Sequence, residues 1–279
     1  MNLKLWITNK TKIGEITMID LNKFSEDKIT QIINDRISIL EENAEKTKEI
    51  GNVERFDENA SHHKGFISRD TKVCYSMSQG YYIKTTDYIR EFIEYIKQNN
   101  LFPSPKEIFK FLNNYFGERP SVDTRNEGEF TEISDFKQSD RAMCTERAAL
   151  ANNILSFLGM ETWFCDGSVY NSNNTNENHA FLIVRSETGK YSIYDPSYSI
   201  YYDNEDHPFI REISEDNATR ILNSMPYNPS KKNCVTVPEY YFKNVNGKKQ
   251  RQNANSFRTY GIGIEKDDLI AILNKREER

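Results

Sequence analysis

The hydrophobic pattern of the chain changes its period near Gly159, and this change limits the folds that the sequence can adopt. Before Gly159, apolar residues recur with the 3.6-residue period of amphipathic helices. After it, apolar residues alternate or form short continuous runs, as in β-strands. Helices followed by strands are typical of α+β domains. We therefore predict an α+β fold.

The apolar periodicity and its boundary residues define individual elements. Helices are predicted over 87–97, 104–117, 141–158 and 216–224. Strands are predicted over 73–75, 162–165, 179–184, 190–195, 234–237 and 257–264. A turn at Thr188-Gly189 joins the two central strands into a hairpin.

The N-terminal part of the chain differs from the rest in pattern. A helix capped by Ser25 is predicted from its apolar period, and it is followed by a charged run that ends at Gly51. Residues 52–65 are polar and rich in turn formers, which is typical of a linker or surface loop. We predict an N-terminal helical extension over 1–65 and a main domain over 66–279.

Charge and hydropathy exclude several classes of partner. The net charge of −5 provides no overall basic field for nucleic acid or anionic lipid. No stretch approaches the roughly 18 apolar residues of a membrane span, and residues 1–10 lack the apolar run of a secretory signal peptide. We expect a cytoplasmic protein with neither a nucleic-acid nor a membrane partner. Signal-independent export and the oligomeric state stay open.

The cysteine pattern argues against a metal centre. The chain contains four cysteines, Cys74, Cys144, Cys165 and Cys234. None has C-x-x-C spacing, so neither a zinc site nor a redox motif is indicated. His62 and His63 lie near Asp57 and Glu58, but no further ligands cluster there at metal spacing. We predict no metal and no cofactor, and thiols that stay reduced in the cytoplasm.

Cys144 stands apart from the other cysteines by its position at a predicted helix start. It falls in the first turn of the 141–158 helix, after Ser139 or Asp140 as the candidate N-cap. A helix N-terminus and a neighbouring imidazole both lower the pKa of a thiol, and the thiolate is the nucleophilic form. Cys144 is therefore the candidate nucleophile.

His179 and Asp195 fall at matching ends of the predicted hairpin. His179 opens one strand, and Asp195 closes the next one before Pro196, which is expected to end the pairing. In an antiparallel hairpin that turns near Gly189, these two ends come close together. The sequence therefore predicts a triad in which His179 is the base for Cys144 and Asp195 orients the imidazole.

An acyl-transfer site also needs donors for the developing oxyanion. The backbone N–H of Cys144 is the natural first donor, because the charge develops beside the nucleophile. Gln138, six residues earlier, is a candidate second donor. The alternative for Gln138 is an ordinary glutamine in a surface loop.

Three segments resemble the motifs of the transglutaminase-like superfamily, in the order that the superfamily has them. They are CTERAALA at 144–151 with its Leu158-Gly159 end, NHAF at 178–181 and YDPS at 194–197. The first resembles the nucleophile helix, the second the histidine motif and the third the Asp-Pro motif. The resemblance covers roughly residues 138–200 of the chain.

Two other families share part of this pattern. Gln138 and the Asn-His-Ala run resemble papain-like peptidases, but those enzymes separate Cys from His by about 130 residues. Here the interval is 35 residues (179 minus 144), and the third residue is Asp. Arylamine N-acetyltransferases have a Cys-His-Asp set of similar spacing, but their Arg-Gly-Gly-Tyr-Cys motif is absent.

The resemblance implies both a fold and a chemistry. The implied fold is a transglutaminase-like, papain-like core in which the Cys144 helix packs on an antiparallel sheet, with the N-terminal helices added to it. The implied reaction is thioester chemistry on a peptide or protein amide. Hydrolysis, by a peptidase or deamidase, is favoured because water is always available and no pocket for a lysine substrate is evident. The alternatives are a transglutaminase that forms isopeptide bonds and a non-enzymatic protein-interaction module on the same core.

Overall fold

The computed structural model describes most of the chain. It covers residues 10–13, 16–19, 21–35, 38, 62–64, 72–75, 79–82, 85–120, 131–171, 176–186, 188–202, 205–222, 234–245 and 248–262. Most of the predicted linker at 52–65 lies outside the described residues.

The described residues form the predicted helices and strands, together with strands that the sequence pattern did not predict. Three of these lie in the N-terminal segment that was expected to be a helical extension, at 10–13, 16–19 and 62–64, and the others are at 79–82, 131–132 and 205–213. The helices are α1 (26–35), α2 (Thr85–Gln98), α3 (Pro105–Phe116), α4 (Cys144–Phe157) and α5 (Glu215–Leu222). The strands before α4 are β1 (Lys10–Ile13), β2 (Ile16–Ile19), β3 (His62–Lys64), β4 (Lys72–Tyr75), β5 (Gln79–Tyr82) and β6 (Thr131–Glu132). The later strands are β7 (Glu161–Asn171), β8 (Asn176–Arg185), β9 (Tyr191–Tyr202), β10 (Glu205–Ile213), β11 (Cys234–Val245) and β12 (Lys248–Ile262). The α+β class is confirmed.

One antiparallel sheet organises the second half of the chain. Its strand order is β10-β9-β8-β7-β12-β11, and β3 also pairs with β7. β8 and β9 form the predicted hairpin, whose turn is closed by the Gly189 N–H donating to the Ser186 carbonyl at 2.9 Å. β11 also contacts β9, which is not its hydrogen-bonded neighbour. The sheet therefore coils and brings its distant strands together.

The two faces of this sheet bury different clusters. Helix α4 packs on β7, β8 and β9, and α2 and α3 pack on α4. Phe164, Leu182 and Tyr194 join the cluster on this helical face. On the other face lie Cys165, Phe181, Ile193, Phe209 and Tyr260, packed with residues of α5. The period-2 alternation of the central strands thus separates two cores.

Helix α4 is the centre of the fold. Every residue from Cys144 to Phe157 is buried. A helix that is covered all round belongs inside a domain rather than on its surface. Leu150, Ile154 and Leu155 form an apolar stripe that is buried, but polar residues of the helix such as Asn152 and Asn153 are buried as well. The start of this helix is therefore held by packing on several sides.

The ends of α3 agree with the predicted bounds of 104–117, and local residues explain both of them. Ser104 is the N-cap, and its Oγ accepts a hydrogen bond from the Glu107 N–H at 3.2 Å. Pro105 is the first helical residue, and Gly117 ends the helix with φ 83° and ψ −161°. Only glycine adopts this backbone region readily, which explains why the helix stops there.

The structure corrects the predicted end of pairing at Pro196. β9 continues through Pro196 to Tyr202. Pairing with β8 does stop early, at Leu182 opposite Tyr194, but pairing with β10 continues across an irregularity between Pro208 and Phe209. In this register Pro208 pairs with Ser199 and Phe209 with Asp195, so residues 196–198 of β9 have no partner in β10. Pro196 therefore lies in a bulge, where its missing N–H breaks no ladder hydrogen bond.

Part of the N-terminal segment packs directly on the main sheet and helices. Ile29, Ile32 and Ile33 of α1 belong to the same core cluster as Cys144. β3 pairs with β7 through residues 163–165. The division of the chain at residue 65 stays a prediction. Among the described residues, no helix is long and apolar enough to cross a membrane.

The turn after α3 offers a test of the packing in front of α4. A Cβ on Gly117 would overlap the Asp140 carboxylate, whose Oδ1 accepts from the Glu118 N–H at 2.7 Å. Gly189 has a similar φ of 84°, yet a Cβ there would meet only Arg185 Nη2 at 3.8 Å. We predict that Gly189→Ala lowers the free energy of unfolding by roughly 1–2 kcal/mol for its backbone. Gly117→Ala should cost roughly 1–3 kcal/mol more, because the overlap adds to the backbone strain.

Urea unfolding of both variants and the wild type measures this difference. Gly189→Ala is the matched control, since it carries the backbone strain without the overlap. Equal losses in the two variants would contradict the described contact between residues 117 and 140.

Candidate active site

Cys144 is the first residue of α4. The residue before it, Met143, is the N-cap, and the Met143 N–H donates to the buried Glu146 carboxylate at 2.9 Å. A carboxylate in the first turn also interacts favourably with the positive end of the helix dipole. Cys144 is 5% exposed and Glu146 is fully buried. The thiol therefore lies at an ordered helix start with little contact to solvent.

The predicted caps of this helix are wrong. Ser139 Oγ donates to the Phe136 carbonyl at 2.7 Å, and Asp140 accepts from Glu118, so both residues order the preceding turn. The helix begins at Cys144 rather than near Arg141. The signal that could have located its start is Glu146, since a glutamate at the third helical position often reaches back to the N-cap.

A buried arginine fixes the first turns of α4 against α3. Arg147 donates through Nη1 to Asn113 Oδ1 at 2.7 Å and through Nη2 to the Gly117 carbonyl at 2.6 Å. Burial, together with the nearby Arg119 charge, lowers the pKa of Arg147 to about 10, so its guanidinium stays protonated at neutral pH. These bonds tie the helix that carries Cys144 to the glycine turn that ends α3.

His179 and Asp195 are joined by a short hydrogen bond. The distance between His179 Nε2 and Asp195 Oδ2 is 2.8 Å, and both side chains are fully buried. Asp195 lies one residue beyond the last β8–β9 pair, Leu182 and Tyr194. Because the two strands separate there, their side chains meet diagonally across the opening.

Cys144 completes the arrangement from the helical side of the sheet. The thiol lies against the imidazole, and its interaction contributes to the pKa of His179. Since Asp195 occupies Nε2, Nδ1 is the ring nitrogen that remains for the thiol. Nδ1 is buried and forms no hydrogen bond of standard geometry in the described part of the chain. Hydrogen bonds between a nucleophile and its base are often long or poorly aligned when no substrate is bound.

The electrostatics of the site favour a charged imidazole. Burial alone lowers the pKa of His179, but the charge and hydrogen bond of Asp195, with the Cys144 interaction, raise it to about 10. Burial likewise raises the pKa of Asp195, but His179, Arg258 and Tyr260 hold it well below its usual range. Both directions favour the form of the pair in which the imidazole is protonated and the carboxylate is ionised.

Every oxygen of the Asp195 carboxylate has donors. Oδ1 accepts from the Ser197 N–H at 3.1 Å and from Ser197 Oγ at 2.9 Å. Oδ2 accepts from the Tyr260 hydroxyl at 2.8 Å and from His179. Arg258 Nη2 lies 3.8 Å from Oδ2. This shell of donors allows a charged group to stay ionised without water.

Sequence reasoning missed Ser197, Arg258 and Tyr260. Ser197 had a local signal, since an Asp side chain often accepts from the N–H two residues on. Arg258 and Tyr260 share one face of β12, but they are more than 60 residues from Asp195, and only the pairing of β12 with β7 brings them near it. No local pattern identifies such partners.

The fourth candidate residue is Gln138. Gln138 is exposed in the turn before α4, where its N–H donates to the Tyr115 carbonyl at 2.8 Å. Its part in an oxyanion hole stays a prediction. Cys144 and Cys165 are both buried thiols outside any disulfide. No group of three or more potential metal ligands occurs in the described ranges.

Comparison with protein-family models, with curated proteins and with solved structures found no match to this chain. The argument for function therefore depends on the geometry of the site.

The titration of His179 tests the electrostatics directly. We predict that His179 stays doubly protonated well above its ordinary pKa of about 6.5, with a midpoint near 10. In Cys144→Ala the midpoint should fall, because the contribution of the thiol is lost. The measurement is nitrogen NMR of histidine-labelled protein across this pH range, with His179→Gln to assign the signal. A midpoint near 6.5 in the wild type would contradict the described site.

Proposed function

We propose that this protein is a cysteine-dependent amide hydrolase that acts through a thioester on peptide or protein substrates. Cys144 is the nucleophile, His179 is the general base and acid, and Asp195 orients the imidazole. The observation that carries the proposal is the buried 2.8 Å contact between His179 and Asp195, with the first residue of a helix, Cys144, against the same ring.

The geometry supports nucleophilic chemistry for a specific reason. A cysteine, an imidazole and a carboxylate in one contact chain form the activated arrangement of cysteine enzymes. A raised pKa of His179 favours the state in which the thiol proton resides on the imidazole. The N-terminal end of α4 stabilises negative charge at Cys144. Together these features favour a resting ion pair.

The first half of the proposed reaction forms the thioester. The Cys144 sulfur attacks the amide carbonyl carbon, so a C–S bond forms and negative charge develops on the carbonyl oxygen. The backbone N–H of Cys144 is the proposed donor to this oxygen, and Gln138 is the candidate second donor. When the C–N bond breaks, His179 transfers its proton to the leaving nitrogen. The products are a thioester on Cys144 and an amine or ammonia.

The second half releases the acyl group. His179, now neutral, takes a proton from water, and the hydroxide oxygen attacks the thioester carbonyl carbon. The C–S bond breaks, and a carboxylic acid leaves. Asp195 holds the imidazole through Nε2 in both halves, so that Nδ1 faces the reacting atoms throughout. The scheme uses only residues of this chain and water.

The surrounding fold supports the same proposal. A nucleophile helix that packs on the central strands of an antiparallel sheet is the arrangement expected of a transglutaminase-like core, and we propose that core for this chain. A cytoplasmic location is part of the proposal, since it would keep Cys144 and Cys165 reduced.

Replacing the nucleophile tests the proposal. We predict that Cys144→Ala lowers the hydrolysis of a glutamine- and asparagine-containing peptide library by several orders of magnitude, as loss of a triad nucleophile does. Cys165→Ala is the matched control, because it removes a buried thiol from the opposite face of the sheet. It should destabilise the fold while activity remains. Product formation is followed by mass spectrometry.

The acceptor and the carboxylate give a second test. The wild type should release amine or ammonia without an added primary amine, whereas a strict requirement for one would indicate a transglutaminase.

Asp195→Asn should retain activity between that of the wild type and Cys144→Ala, since it disturbs the imidazole without removing a reacting atom. Full retention of the cellular effect by Cys144→Ala would favour a non-enzymatic interaction module instead.

A further inference from the structure

We propose that Tyr260 and Arg258, both on β12, are positioning residues that hold Asp195 ionised and aimed at His179. This inference rests on the proposed function, and it assigns a role to a strand that lies outside the resemblance to known motifs. It makes the C-terminal β-hairpin part of the active site rather than only an extension of the sheet.

Tyr260 is fixed in place by its ring and acts through its hydroxyl. The ring packs on Phe181 and Phe209, with centroid distances of 4.9 Å and 5.8 Å, and is fully buried. Its hydroxyl donates to Asp195 Oδ2 at 2.8 Å, the same oxygen that contacts His179. Burial and the Asp195 charge raise the pKa of Tyr260 well above its usual value, so it remains a donor. The hydroxyl thus limits rotation of the carboxylate.

Arg258 contributes charge from the same face of the strand. Its guanidinium is 3% exposed and stacks over the Tyr198 ring at 3.7 Å from the ring centroid. Nη2 lies 3.8 Å from Asp195 Oδ2, which is an ion-pair distance rather than a hydrogen bond. A cation held this close to a buried carboxylate favours its ionised form.

The groups around Asp195 divide into two sets. Ser197 of β9 holds Oδ1, while His179 of β8 and the two β12 residues surround Oδ2. Loss of the β12 groups would leave Oδ2 with His179 alone among these donors. A carboxylate with fewer donors binds a proton more readily when buried, and it holds the imidazole less firmly.

Tyr194 and Arg119 lie near Asp195, but their hydrogen bonds go to other groups. The Tyr194 hydroxyl donates to the Pro105 carbonyl at 3.1 Å on the helical face of the sheet. Arg119 Nη1 donates to the Ser197 carbonyl at 3.5 Å. Tyr194 therefore offers a control: a buried tyrosine next to Asp195 whose hydroxyl contacts a different group.

The test uses the rate at which iodoacetamide alkylates Cys144 as a function of pH. In this reaction the thiolate forms a C–S bond and iodide leaves, so the rate reports the charge state of the triad without a known substrate. A nearby cation or hydrogen-bond donor stabilises the anionic groups of the triad. Its removal therefore raises the pH at which these groups become protonated. The acid limb of the profile is the pH range in which the alkylation rate falls as the pH is lowered. We expect Tyr260→Phe and Arg258→Gln each to shift this limb to higher pH by roughly 0.5–1 pH unit.

Controls separate positioning from stability. Arg258→Lys keeps the positive charge, so the pH of its acid limb should lie close to that of the wild type. Tyr194→Phe loses one buried hydrogen bond of the same kind, so its urea midpoint should fall while its acid limb stays where it is in the wild type. Urea midpoints of all variants report folding independently of the alkylation profile.

The outcomes distinguish this inference from the proposed function. If wild-type Cys144 reacts no faster than Cys165 at neutral pH, the nucleophile is not activated and the proposed function is wrong. If wild-type Cys144 reacts faster but the acid limbs of Tyr260→Phe and Arg258→Gln coincide with that of the wild type, the β12 residues have a structural role only. Shifted limbs, with partial restoration in Arg258→Lys, support the inference.

Discussion

Two opposite charges can remain buried together only when both are well supplied with hydrogen bonds. The pair formed by His179 and Asp195 is fully buried, and its 2.8 Å contact is supported by Ser197, Tyr260 and Arg258. Removing one partner of such a pair would leave an uncompensated charge in the core. Elements from several parts of the chain meet at this pair: α4 brings Cys144, the β8–β9 hairpin brings the pair itself, and β12 brings the surrounding donors. The coiled sheet is what allows them to meet.

Much of this arrangement follows from local sequence signals. Ser104, Pro105 and Gly117 define α3 because capping, the fixed φ of proline and a positive φ act within one helical turn. The hairpin that aligns His179 with Asp195 follows from two apolar runs and a glycine turn. The contact between His179 and Asp195 was therefore accessible from the order of these residues, since each occupies the end of a predicted strand.

The rest depends on contacts between distant residues. The start of α4 was placed too early because Ser139 and Asp140 are good capping residues in isolation, whereas the helix is capped by its own Glu146. β9 runs past Pro196 because the strand bulges there: residues 196–198 have no partner in β10, and pairing resumes at Ser199. Tyr260 contacts Asp195 across 65 residues of sequence, and only the register of β12 against β7 brings them together. The residues next to Tyr260 or Asp195 in the sequence do not indicate that register.

The central claim is that Cys144 is held as a thiolate by its ion pair with His179. The ultraviolet absorbance of thiolates measures this directly, as the difference between wild type and Cys144→Ser at neutral pH. We expect one thiolate equivalent in the wild type, its loss in His179→Gln and its retention in Cys165→Ala. Absence of the thiolate signal in folded wild-type protein at neutral pH would contradict the account.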